Sequence, residues 1–436
     1  MFRMRKDQVL TPEKLGEFVQ RARVENRRNR RLYDAYRGVY PILNQRKPEF
    51  KPNNRLVVNF AKYITDTFNG FFIGSPIKTT SDDKAAAQVV EEIQAKNDQD
   101  DNNAELSKMM SIFGHAFELY YVTDDKDIGI TYVSPMESFM IYSDSVTEEP
   151  LFFVRFYRNA DDEEVGTVSD SRNVYRFTAN SGYQMDEGTP HGFDGVPATE
   201  FIENEDRLGL YETVLTLIDA YNKAISEKAN DVDYFADAYL KVIGPKLDEE
   251  DLRNLRDQRI INLQSDIQGS AEVDFLSKPD ADATQEHLLD TLERLIYQVA
   301  MVPNINDEHF GTSSGIAMQY KVLNTLNLFR AKQRKFESGM NRRWRLIFSN
   351  PVLIGRVKPD QWTSIRYRFT PNLPANALEE AQTVAQLSGI ISRQTQLEHL
   401  SLVNNVTEEL ARIDKENEID DLIPDFNGHD HGTDDE

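Results

Sequence analysis

Aspartate, glutamate and histidine have the most chemistry to offer in this chain, and their spacing assembles none of it into a site. Seventy-three acids and seven histidines guarantee neighbouring carboxylates by chance. Asp124 with Asp125, and Asp161 to Glu164, fall in turn-like polar stretches that need no mechanism. His115 and His191 have no partner at metal-ligand spacing and read as structural, while His429 and His431 sit in an acidic tail where a solvated role is the commoner one. With no cysteine there is no thiolate nucleophile, thiolate metal site or disulfide. No phosphate-binding glycine loop, His-Glu-x-x-His pair or nucleophile elbow occurs. The expectation is a protein that is not an enzyme, with no catalytic residue, cofactor or resident metal.

Two other groups of polar residues are patterned. Between Asn304 and Gly315 lie Asn306, Asp307, Glu308, His309, Thr312, Ser313 and Ser314, residues that bond their own backbone or tolerate unusual backbone angles, and that predict an exposed loop. Directly after it, Arg330, Arg334, Lys335, Arg342, Arg343 and Arg345, with Lys321 and Lys332, face a single acid, Glu337. Such a basic face suits an acidic surface or nucleic acid, although a solvated helix face is the more frequent meaning. Arg27, Arg28, Arg30 and Arg31 invite the same two readings.

The elements that must carry these groups are legible from periodicity. Asp282 and Gln285 offer a cap to a helix bearing Leu288, Leu289, Leu292, Leu295, Ile296 and Val299, which Pro303 stops. From Ile316 to Ile347 there is no proline, and Tyr320, Leu323, Leu326, Phe329, Phe336, Met340 and Trp344 keep helical spacing, so one helix of roughly 48 Å is predicted. Upstream, Thr11 and Pro12 start a helix that Gly38 ends. Arg55 to Phe72, Asp82 to Lys96 and Asn102 to Phe113 read as further helices.

Past Gly114 the period becomes alternating. Ala116 to Val122, Ile128 to Val133, Phe139 to Tyr142, Leu151 to Tyr157, Glu164 to Val168 and Val174 to Thr178 read as antiparallel strands. Phe201 to Gly209 leads into a helix from Leu210 to about Asp237. A compact insertion follows: strand Tyr239 to Ile243, helix Asp248 to Gln258, strands Ile260 to Leu263 and Val273 to Leu276. Lying between two helices, it implies a paired-helix stalk. Ser364 to Phe369 is a returning strand, Pro371 and Pro374 mark a boundary, and helices at Ala377 to Gly389, Ser392 to Leu400 and Val406 to Glu418 form a small cap. The tail from Asp414 holds ten acids against Lys415 alone and is expected to be disordered.

At 436 residues, 39% hydrophobic, the chain can bury a core in two or three domains. A formal net charge of -23 argues against coating nucleic acid or anionic membrane along its whole surface. No segment has the length or apolarity of a signal or membrane span, so a soluble, unexported protein with no membrane partner is expected.

The order of elements resembles the portal, or head-to-tail connector, proteins of tailed double-stranded DNA bacteriophages, in the type found in long-tailed phages of Gram-positive hosts. Carrying the resemblance are Tyr36-Arg37-Gly38, Asn54-Arg55, the run from Asn59 to Pro76, Gly114-His115-Ala116-Phe117-Glu118, Val133-Ser134-Pro135, Ser314-Gly315-Ile316-Ala317, Gly389-Ile390-Ile391-Ser392 and Glu409-Leu410. It implies an α+β subunit with a wing (1–209 and 316–375), two stem helices (210–238 and 283–302), a small α/β clip (239–282), a tunnel loop (303–315), a helical crown (376–418) and an acidic tail (419–436).

The implied function is a homo-oligomeric ring, dodecameric in the virion, at one capsid vertex. It would be the channel through which double-stranded DNA is packaged and ejected without sequence reading. Asn304, Asn306, His309, Thr312, Ser313 and Ser314 would line the channel loop. Lys246, Arg253, Arg256 and Arg259 would serve the clip in binding terminase and then the head-completion adaptor. Scaffolding and major capsid proteins would be partners in assembly, which takes place in the host cytoplasm. Two other classes fit the residues less well: a non-ring helical scaffold or nucleic-acid-binding adaptor using Arg330 to Arg345, and a metal-dependent phosphodiesterase built on clustered acids.

Overall fold

Side-chain caps set the starts of the N-terminal helices. Thr11 Oγ1 accepts from the Lys14 backbone N–H at the head of α1 (Pro12–Tyr36), where Pro12 costs no hydrogen bond. Asn59 Oδ1 accepts from Lys62 N–H at 3.1 Å and begins α2 (Phe60–Ile73). Asp83 does the same for α3 (Lys84–Lys96), 2.9 Å from Ala86 N. The expected start of α2 at Arg55 is therefore five residues too early, for the segment from Asn54 to Asn59 is not helical. The computed structural model describes residues 1–49, 51–179, 182–236, 240–243, 272–275, 282–304, 315–372, 377–398, 400, 403 and 406–420.

What the segment before α2 does instead is bind a helix edge-on. The backbone N–H groups of Asn54, Leu56 and Val58 donate to Asn230 Oδ1, Ser226 Oγ and Asn222 Oδ1 at 2.6, 2.9 and 2.8 Å. These acceptors stand four residues apart on α5 (Leu215–Ala236). Two residues of extended chain advance about 6.6 Å and four residues of helix about 6 Å, so the two ladders stay in step.

Helix α4 (Gln99–Phe113) ends at Gly114, whose φ of +84° and whose missing side chain are both required: a Cβ would lie 1.9 Å from the Arg207 carbonyl oxygen. The chain then enters strands β3 (His115–Val122), β4 (Ile128–Val133), β5 (Ser138–Ser143), β6 (Pro150–Arg158), β7 (Glu164–Ser169) and β8 (Asn173–Thr178), all on the expected segments. Additional strands were not read from the sequence: β1 (Phe2–Met4), β2 (Lys78–Ser81), the two-residue β9 (Gln184–Met185) and β10 (Thr189–Pro190), and β11 (Ala198–Ile202). The last corrects the reading of Phe201 as the lead-in to a helix.

Two sheets stack. One has the order β1-β5-β6-β7-β8-β10, with β9 on β8 and with β1 parallel to β5; the other is β11-β3-β4, antiparallel throughout. Phe117, Val133 and Ala198 meet Met140 and Phe153 between them. Leu15, Phe18, Val19 and Ala22 of α1 pack with Phe139, Val154, Val168 and Phe177 of the larger sheet.

Through the remaining core runs α7 (Gly315–Phe348), 34 residues long. Its Phe329, Phe336 and Met340 pack with Phe72, Met110 and Phe201, and its Trp344, Ile347 and Phe348 with Val89 and Ile93. At about 1.5–3 kcal/mol for each large apolar side chain buried, these contacts fix the helix far more firmly than its propensity does. Gly339 lets it approach β11: a Cβ there would lie 2.5 Å from the Phe201 ring. Strand β14 (Ile365–Arg368) then pairs antiparallel with β2.

Met1–Asn372 form one compact unit and Leu373–Glu436 a second, with Pro371 beside the division. The second unit contains α8 (Ala377–Gln386), α9 (Arg393–Glu398) and α10 (Val406–Asp420). Ser392 Oγ caps α9 by accepting from Thr395 N–H at 3.2 Å. The mixed helix and sheet content makes the fold α+β.

Candidate functional site

Helix α5 and helix α6 (Asp282–Ala300) lie side by side and antiparallel. At one end Tyr221 and Tyr297 both set their rings edge-on against Phe60, at 4.9 and 5.6 Å between centroids. At the other, Lys228 Nζ is 2.9 Å from Glu286 Oε1 and Gln285 donates to Asp231 at 3.0 Å. Between the two helices in the chain, β12 (Leu240–Ile243) and β13 (Glu272–Phe275) form an antiparallel pair. The expected helix Asp248 to Gln258 and strand Ile260 to Leu263, with Lys246, Arg253, Arg256 and Arg259, lie outside the described residues.

The end of α6 is pinned to its surroundings. Met301 turns the chain with a φ of +58°, and its carbonyl accepts from Thr325 Oγ1 of α7 at 2.9 Å. Val302 is buried, the Pro303 carbonyl accepts from the Tyr63 hydroxyl at 3.5 Å, and Asn304 Nδ2 donates to Glu293 at 3.2 Å. The N-terminal flank of the polar loop is thus fixed to the core. Of its singled-out residues, Asn304 is described; Asn306, His309, Thr312, Ser313 and Ser314 lie outside the described residues.

The basic residues of α7 do not form one face, which corrects the sequence expectation. Arg343 is completely buried: Nη2 donates to Glu118 Oε1 and Asn103 Oδ1 at 2.7 Å each, and Nε to Glu118 Oε2 at 2.7 Å. Tyr120 donates to the same carboxylate at 2.7 Å. Burial works against the Arg343 charge, but Glu118 outweighs it and the guanidinium is held above its ordinary range.

Lys332 is buried as well. Its ammonium donates to Ser107 O at 3.0 Å and Ser111 Oγ at 2.7 Å, and stands 2.8 Å from Glu203 Oε2. That last contact is an ion pair without hydrogen-bond geometry, so neither Glu203 oxygen receives a hydrogen bond from a described residue. Burial lowers the Lys332 pKa, with Glu203 opposing the shift. Arg342 is half-buried and donates to the Ala198 and Val196 carbonyls at 3.4 and 3.3 Å, and Lys335 pairs with Glu205. Only Arg330, Arg334 and Arg345 of the six are exposed.

Sequence reasoning missed a cavity of about 270 Å³ between α1 and the sheets, walled mainly by apolar residues such as Phe2, Phe117 and Met140 but also by Arg28, His115, Tyr142, Glu200 and Arg207. Arg207 grips Glu200 through two hydrogen bonds of 2.8 Å and Tyr142 donates to it too. Burial opposes ionisation of Glu200, yet the guanidinium prevails and its pKa is lowered. His115 Nδ1 has no hydrogen-bond partner among the described residues, and burial pushes its imidazole down to about 4. The carboxylate is engaged by Arg207, and no serine or threonine hydroxyl is held by the imidazole among the described residues. Nor does any group of three His, Asp or Glu stand at metal-binding distance among them, and no described helix is long and apolar enough to cross a membrane.

The family model described as phage portal protein, SPP1 Gp6-like, matches residues 19–421. A portal protein of Bacillus phage SPP1 is 25% identical over 93% of this chain and 84% of its own length. A portal protein of Clostridium phage phiCD119 is 23% identical over 63% of this chain and 64% of its own length, so the match spans just under two thirds of that relative. A solved structure titled as the neck of an empty GTA particle computed with C6 symmetry covers 77% of this chain and 88% of its own, with a TM-score of 0.46 and 11% identity.

Proposed function

From the premise that this chain belongs to the SPP1 Gp6-like phage portal protein family, we propose that it builds a ring at one capsid vertex of a virion, a channel through which double-stranded DNA is packaged and later ejected. The observation that carries this reading is the family match across residues 19–421. The antiparallel pair of α5 and α6, the strand pair inserted between them and the junction into a 34-residue helix support it.

A channel that passes any sequence must avoid base contacts and hold phosphates weakly, since strong charge pairing acts as a brake. Asn304 to Ser314, offering amides, hydroxyls and one imidazole after a fixed N-terminal flank, would be the loop facing the duplex. A subunit with a net charge of -23 keeps the bore non-adhesive. The segment from 239 to 282, with Lys246, Arg253, Arg256 and Arg259, would be the docking surface for terminase and then for the head-completion adaptor. Scaffolding and major capsid proteins would meet the ring during assembly. Hydrolysis of nucleotide belongs in this account to the separate terminase motor.

Native mass spectrometry with negative-stain imaging of the purified chain tests the reading. Closed rings of about a dozen copies around a central hole are expected. A monomer or dimer that persists across salt and magnesium conditions would overturn it in favour of a non-ring adaptor.

A further inference from the structure

Three of the α7 cations with described side chains are left over after the core is built, and two of them sit close together. Leu323, Asn327, Arg330 and Arg334 are spaced four, three and four residues apart, so they share one stripe, opposite buried Phe329, Phe336 and Met340. All four are exposed, Leu323 by 46%. Neither arginine has an ion-pair partner among the described residues, although Lys332, Lys335 and Arg343 beside them do.

Helix α6 carries the converse. Asp290 and Glu293, one turn apart, have no cation within ion-pair distance among the described residues; Glu293 receives only the Asn304 amide. Tyr221 and Tyr297 lie close enough for the Glu293 charge to act on their hydroxyls. Two carboxylates beside aromatic rings suit a guanidinium, which pairs through its planar fork and stacks on the ring. Burial, then the Asp290 charge, holds the Glu293 carboxyl above its usual range, a cost that an arriving cation would relieve.

Among the described residues no ion pair joins the two patches within one chain. Tyr297 packs on Phe60 and Tyr63 toward the start of α2 and Phe329 on Phe71 and Phe72 near its end, about 12–18 Å apart along that helix. Asp290 lies two further turns back along α6. We infer that the Leu323–Arg334 stripe of one copy docks on the Asp290 and Glu293 side of α6 in a second copy. Because the patches differ, the contact is head-to-tail, the kind that closes into a ring when its rotation fits. The inference rests on the ring reading and names the surfaces that would close it.

Charge exchange in the full chain tests it. R330E/R334E and D290K/E293K, each purified alone, should melt like the unaltered chain but lose ring mass by roughly tenfold or more, equivalent to 1.4 kcal/mol per tenfold. Mixed in equal amounts they should form rings again, with the two variants alternating, since every interface is then of opposite charge; D290K alone serves if the double substitution fails to fold. Rings formed by each variant alone, or no recovery on mixing, would overturn the contact. So would normal rings of R330E/R334E that no longer retain duplex DNA, which would assign the stripe to nucleic acid. If the unaltered chain forms no ring, the ring reading itself falls, and the contact with it.

Discussion

Lys332 and Arg334 stand two residues apart on α7, one enclosed by Glu203, Ser107 and Ser111, the other open to solvent. Arg343 and Arg345 repeat the contrast a few turns later. In each case, residue type and local spacing are almost the same on both sides. What separates them is the partner: Glu118 on β3 and Glu203 just after β11 are brought to the helix by sheet pairing from more than a hundred residues away. Inner cations therefore hold α7 on the sheets, and outer ones remain available to other molecules.

The comparison breaks most visibly at Arg343. Arg343→Met leaves Glu118 buried without its cation and should cost about 3–5 kcal/mol in denaturant unfolding, whereas Arg334→Met should change stability by less than about 0.5 kcal/mol. Equal effects would remove the distinction between inner and outer cations.

A second expected effect concerns pH. His115 is lowered from 6.5 to about 4 by burial, so the unfolded chain binds more protons between those values. Its contribution is complete above pH 6.5 and is lost as pH falls toward 4, up to about 3 kcal/mol at 1.36 kcal/mol per unit. His115→Gln should flatten that part of the acid unfolding profile; an unchanged slope would contradict the burial account.

Smaller losses are expected in the ladder between the segment before α2 and α5. Asn222→Ala or Ser226→Ala leaves one backbone N–H without its acceptor and should cost about 1–3 kcal/mol, read in thermal melts and in faster amide exchange at Val58 or Leu56. Smallest is the cap: Asn59→Ala should cost about 1 kcal/mol, with α2 retained in circular dichroism.

These cases also mark where sequence reading reaches. The strands β3 to β8 were legible because apolar residues alternate between turns, and α7 because a helical period, interrupted only at Gln333, runs from Ile316 to Ile347 without proline. The three-residue β1 gives no period to read, and β11 merges with the polar run before Leu210. The role of Asn222, Ser226 and Asn230 was not legible, since it needs the extended segment 164 residues or more upstream. The loop and the insertion are legible from composition and order, but the roles given to their residues come only through family resemblance, since no spacing marks them.

A cryo-electron microscopy reconstruction of the assembled full chain tests the central claim most directly. The account predicts a closed ring in which Asn304 to Ser314 of every copy faces the bore. A ring with that segment on its outer wall, or an assembly with no through-channel, would contradict it.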